Sequence, residues 1–160
     1  MSYFIRIFGQ AADALSRRDI QEFILGGLHF DRKPVFIPAF EDPDSMRPDW
    51  DSLTIIYEPD IPTVNLMRHV DDGVFAAERD ALLTLIGESV PPELQVTLID
   101  MLDACNQVIT IEIDRDNLSE DAWGMLDALE AYLAGNLMGL VYAPEDGFYG
   151  SGLQLLHKIG

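Results

Sequence analysis

Cysteine is almost missing from this chain: Cys105 is the only one in 160 residues. A single thiol excludes an internal disulfide framework, and with it the usual signature of a small secreted domain. Basic residues are scarce, ten Lys and Arg against 28 Asp and Glu, for a net charge of −18. The deficit is uneven: residues 1–79 carry 14 acids and 8 bases, residues 80–160 carry 14 acids and only Arg115 and Lys158. Such a surface repels polyanions, because gripping a phosphate backbone depends on Lys and Arg. Nucleic acid and anionic membrane are therefore excluded as partners. No apolar run approaches the roughly 20 residues that span a bilayer. The opening Met1-Ser2-Tyr3-Phe4-Ile5-Arg6-Ile7-Phe8 is short, holds an arginine and lacks a small-residue cleavage site. The expected location is the cytoplasm.

Several chemistries lack their residues. The three histidines, His29, His69 and His157, lie far apart, with no second His or Cys at metal-ligand spacing. The expectation is no metal and no cofactor. There is no Gly-x-Ser-x-Gly elbow, no phosphate loop and no dinucleotide fingerprint. The run Asp114 to Asp121 invites comparison with a calcium loop. Counted from Asp114, however, position 5 is Leu118, position 6 is Ser119 and position 12 is Met125, where an EF-hand needs an oxygen ligand, glycine and glutamate. It reads better as a strand-to-helix connection. Cys105 falls on an apolar helical stripe with Leu94, Leu98, Met101 and Leu102, the setting of a structural thiol. No catalytic residue is assigned.

The composition itself is that of a folded domain: 48% hydrophobic and 24% charged. Tyr3 to Phe8 reads as a strand closed by Gly9. Ser16 to Asp19 has capping-box spacing, and a helix runs on to Gly26-Gly27, with a start as early as Ala11 allowed. Val35 to Ala39 suits an edge strand, because Pro38 cannot donate to a ladder. Leu53 to Glu58 and Thr63 to Val70 read as paired strands around Pro59 to Pro62. Helices follow from Val74 to about Ile86 and from the Pro91-Pro92 pair. Val108 to Ile113 alternates cleanly, with Ile109, Ile111 and Ile113 on one face. Ser119 caps a helix whose core face holds Trp123, Leu126, Leu129 and Leu133, with Gly135 as its stop. Leu137 to Ala143 and Gly152 to His157 complete the chain as a hairpin. These elements predict one α+β domain over residues 1–160, with an antiparallel or mixed sheet of six or seven strands. Three or four helices pack mainly on one face. A pseudo-repeat of two strand-helix-strand-strand units is one form of it.

Two functional readings fit. In the first, an acidic, non-enzymatic protein meets a basic protein partner, as an inhibitor, an immunity-type protein or an adaptor. The stretch Ala143 to Leu156 carries its candidate surface, Glu145, Asp146, Phe148 and Tyr149; Trp50 and Tyr142 are further aromatic anchors. In the second, a small enzyme or ligand-binding domain assembles a site from Arg6, Tyr57, Arg68 and His69. A polar strip of Thr63, Asn65, Met67 and His69 on one sheet face is either a binding floor or plain solvent face. The charge predicts no detectable binding to a generic DNA duplex at physiological salt by fluorescence anisotropy. Tight, salt-sensitive binding would overturn it.

Overall fold

The computed structural model describes residues 2–10 and 15–159. Its frame is an eight-stranded antiparallel sheet in the order β2-β3-β4-β5-β1-β6-β7-β8. The strands are β1 (Ser2–Gly9), β2 (Val35–Ile37), β3 (Ser52–Ile56), β4 (Val64–Val70), β5 (Gln107–Asp114), β6 (Leu140–Ala143), β7 (Gly147–Tyr149) and β8 (Leu155–Lys158). The helices are α1 (Arg17–Gly26), α2 (Gly73–Ser89), α3 (Pro92–Asp103) and α4 (Glu120–Leu137). The α+β class holds, with eight strands where six or seven were expected. The extra strand is β7, three residues inside the stretch that the sequence suggested was a single connection.

β1 and β5 form the centre. They pair along their whole length, from Ser2 with Asp114 to Gly9 with Gln107. Alternation then sends their side chains to two separate cores. Ile5, Ile7, Ile109, Ile111 and Ile113 point to one face and pack with Ile20 and Ile24 of α1 and Leu126, Leu129 and Leu133 of α4. Phe8 and Val108 point to the other and pack with Phe75, Leu82 and Ile86 of α2 and Leu98 and Leu102 of α3. The helices thus divide two and two between the faces, where one-sided packing was expected. Periodicity shows that a helix has an apolar stripe, not which side of a sheet receives it.

Local signals mostly hold. At the start of α1 the Ser16 hydroxyl accepts from the Asp19 amide at 3.1 Å and the Asp19 carboxylate accepts from the Ser16 amide at 2.8 Å. An earlier start near Ala11 falls on residues 11–14, outside the described residues. Ser119 caps α4, accepting from the Ala122 amide at 3.2 Å. Gly135 does not stop that helix. It continues to Leu137 and ends on Met138 in the left-handed region, φ 49°. β2 is an edge strand, as Pro38 implied. The two units β1-α1-β2-β3-β4 and β5-α4-β6-β7-β8 share an order of elements but not a layout. After α4 the chain enters β6, next to β1; after α1 it goes to the far edge, and only β4 returns to the centre. The likeness of the two halves stops at element order.

Residues 140–158 fold back as β6, β7 and β8. Pro144 and Glu145 form the first turn, closed by the Asp146 amide donating to the Ala143 carbonyl at 3.0 Å. Positive φ falls on Glu145, at 66°, one residue before the Asp146-Gly147 pair that the sequence suggested. Gly147 is needed for space, because a Cβ there would collide with the His157 carbonyl of β8. Truncating Leu126, fully buried on α4, should cost about 2–5 kcal/mol in urea unfolding. Val96→Ala, at a residue 64% exposed on α3, should stay within about 0.5 kcal/mol of the parent.

Candidate functional site

The residues that sequence analysis brought forward go to several places. Arg6 lies on the α2–α3 face of β1 and forms an ion pair with Glu78 of α2. Arg68 points to the opposite face, buried, with Nε on the Gln107 amide oxygen at 3.2 Å and Nη1 on the Trp50 carbonyl at 3.0 Å. His69, its strand neighbour, meets Asp72, Nδ1 to Oδ2 at 2.9 Å. Asp72 in turn caps α2 by accepting from the Phe75 amide. Its pKa is lowered first by that backbone hydrogen bond and then, against some desolvation, by His69. Tyr57 stacks on Phe30, centroids 5.3 Å apart, beside a cleft of about 290 Å³ near the start of α4. Arg6, Tyr57, Arg68 and His69 therefore do not converge. Asn65, Met67 and His69 do share one face, and they are half-buried.

The four-residue partner candidate divides. Phe148 is fully buried against Tyr142, centroids 5.1 Å apart, in the core beneath α2 and α3. A partner cannot reach it there. Trp50 is also internal, with Nε1 donating to the Leu15 carbonyl at 3.0 Å. Tyr142 is half-buried. Glu145, Asp146 and Tyr149 remain accessible, and they open onto the opposite face from Phe148. Strand alternation explains the split: Tyr149 registers with Val141 and Phe148 with Tyr142.

There the three join a cleft of about 490 Å³ between α4 and the ends of β1, β6 and β7. α4 contributes Trp123, Asp127 and Glu130, spaced by four and three residues and so on one flank of the helix. β1 contributes Tyr3, and the loop before α4 contributes Arg115. Four carboxylates thus stand against one guanidinium, with three aromatic rings among them. The Tyr3 hydroxyl donates to the Pro144 carbonyl at 2.6 Å, tying β1 to the β6–β7 turn. Burial, offset in part by Arg115, pushes its pKa up to about 12. The Arg115 guanidinium lies over the Tyr3 ring, 4.5 Å from its centroid, and donates to Glu145 at 3.2 Å. Tyr149 is raised by burial and by its hydrogen bond to Asp146.

Glu130 is the unusual member. Burial, then the charges of Asp127 and Asp146, push its pKa up to about 7. The buried Arg68 guanidinium, by contrast, is answered by the Gln107 side chain and the Trp50 carbonyl. Cys105 is also buried, its thiol pushed up to about 11 by burial alone and donating to the Met101 carbonyl at 3.3 Å. Among the described residues, no group of three or more His, Cys, Asp and Glu is placed to hold a metal ion. No helix there is long and apolar enough to cross a membrane. In comparisons with known proteins, no family model, curated protein or solved structure matches the chain.

Sequence reasoning missed Tyr3, Arg115, Trp123, Asp127 and Glu130 as site residues. The only local trace is the Trp123, Asp127, Glu130 spacing beside the apolar stripe of α4. Glu130 holds its proton more tightly in the fold than in the unfolded chain, whose value lies near 4.5. Its contribution to stability is thus full below that value and is lost as pH rises through about 7. Glu130→Gln should match the parent in urea unfolding at about pH 4. At about pH 8 it should be the more stable by on the order of 1–3 kcal/mol.

Proposed function

We propose that this is a non-enzymatic binding protein of the cytoplasm that engages a basic protein partner through the surface around the α4 cleft, in an inhibitor, immunity-type or adaptor role. The observation that carries this reading is the cleft's lining, four carboxylates and three aromatic rings with a single compensating cation. Aromatic anchors inside an acidic rim are what a basic surface docks on, and the charge of −18 steers it there. The residues that an enzyme reading required divide between the two faces of the sheet, Arg6 and His69 on one and Tyr57 and Arg68 on the other, which supports contact over catalysis.

A second reading has one observation in its favour. A carboxyl titrating near 7 in an aromatic cleft is also the mark of a general acid. It would make the protein a small enzyme on a neutral, sugar-like substrate, with Asp127 or Asp146 as the second carboxylate.

The test is retention from source-cell lysate on the immobilised protein. The parent should hold one basic protein at low salt and release it at high salt. The Asp127→Asn, Asp146→Asn double variant should hold markedly less. Equal retention by both, or none by the parent, would sink the partner reading. A rise in melting temperature with neutral oligosaccharides would favour the enzyme.

A further inference from the structure

We infer that the α4 cleft is a receptor for one arginine side chain of the partner, its guanidinium seated among Trp123, Tyr149 and the Glu130 carboxylate. This deepens the partner reading and rests on it. The first support is Glu130 itself. Its carboxyl lines the cleft and makes no hydrogen bond or ion pair among the described residues. Asp127 approaches it from the same helix and Asp146 from the β6–β7 turn, and both oppose its charge. A half-buried carboxylate whose acting charged neighbours, Asp127 and Asp146, are both acids lacks a paired cation, and a cationic ligand is the group that would relieve it.

The second support is Arg115. At the rim of the same cleft the chain already holds a guanidinium, its central carbon over the Tyr3 ring and one nitrogen on the Glu145 carboxylate. The inner part repeats the ingredients, with Trp123 and Tyr149 as rings and Glu130 and Asp146 as carboxylates, and has no cation of its own. A planar, weakly hydrated guanidinium stacks on aromatic faces while its edge meets a carboxylate. A lysine ammonium is compact and strongly hydrated, and it gains less from such walls. A cleft of about 490 Å³ lies within the range of side-chain and small-ligand pockets.

Seating the cation requires the ionised form of Glu130, so binding displaces its proton. The charged or titratable groups facing Glu130 are Asp127 from α4, Asp146 from the turn, Tyr3 from β1 and Tyr149 from β7, with Arg115 at the rim. The pKa values of both phenols are raised, so they keep their protons through pH 8 and do not confuse the titration.

The chain provides its own reporters: Trp123 lines the cleft and Trp50 is buried elsewhere. N-acetyl-arginine amide, titrated through the millimolar range, should shift the Trp123 indole N–H resonance and leave that of Trp50 in place. Affinity should rise on the order of thirtyfold between about pH 5.5 and pH 8, following the ionised fraction of Glu130. N-acetyl-lysine amide should bind several-fold more weakly at the higher pH. Glu130→Gln, which keeps the side chain's shape, should lose the pH dependence and bind at least on the order of thirtyfold more weakly at about pH 8. No movement of Trp123, equal movement of Trp50, equal binding of the lysine probe, or unchanged binding by Glu130→Gln would overturn the inference. If the lysate partner is retained while the arginine probe leaves Trp123 unmoved, the inserted arginine fails and the partner reading stands. If the probe binds through Glu130 but no basic protein is retained, the partner reading fails and the guanidinium site stands.

Discussion

The ladder between β1 and β5 holds the molecule together. Eight consecutive pairs join them, and each strand has a further neighbour, β6 on one side and β4 on the other. Both faces of this pair are built upon. Ile7 is sealed under one helical layer and Phe8, the next residue, under the other. A slip of one residue would exchange the two sets and present each core with the wrong side chains. The register therefore fixes where α1 and α4 lie relative to α2 and α3, and through α4 it fixes the cleft.

Much of the fold was legible because its determinants are local. The capping box at Ser16, the cap at Ser119, the alternation of β5 and the apolar stripes of α2, α3 and α4 depend on residues within a turn or two of each other. Strand order was not legible, because it is decided by which apolar faces meet after the chain has crossed the sheet. The end of α4 was misplaced because a glycine needs to be at the terminus to stop a helix; Leu137 packs into the core and carries the helix past Gly135. Phe148 and Tyr149 looked like a pair in sequence, yet adjacent strand residues face opposite ways. The cleft depended on Tyr3, Trp123, Glu130 and Tyr149 meeting from three separate elements. Nothing within a few residues of any one of them announces the others.

The electrostatics of the sheet and of the cleft differ. Two arginines of the sheet are matched: Arg68 by the Gln107 side chain and the Trp50 carbonyl, Arg6 by Glu78 across the β1–α2 contact. Surface acids mostly face water, where their mutual repulsion is screened within about 10 Å at ordinary salt. Glu130 is unmatched, half-buried beside Asp127 and Asp146. Natural folds tolerate such local conflict mainly where something other than folding is served. The positive φ at Glu145 is a second, smaller conflict in the same place, of order 1–2 kcal/mol for a residue with a Cβ.

The central place of β1 also bears on how the chain reaches this state. Its two strand partners begin at Gln107 and Leu140, so the ladder closes only across roughly a hundred intervening residues. Closing such loops precedes any reward from the contacts, and folds dominated by distant pairings form slowly. During synthesis Tyr3 to Phe8 emerges long before β5 exists, as an apolar strand with both edges open.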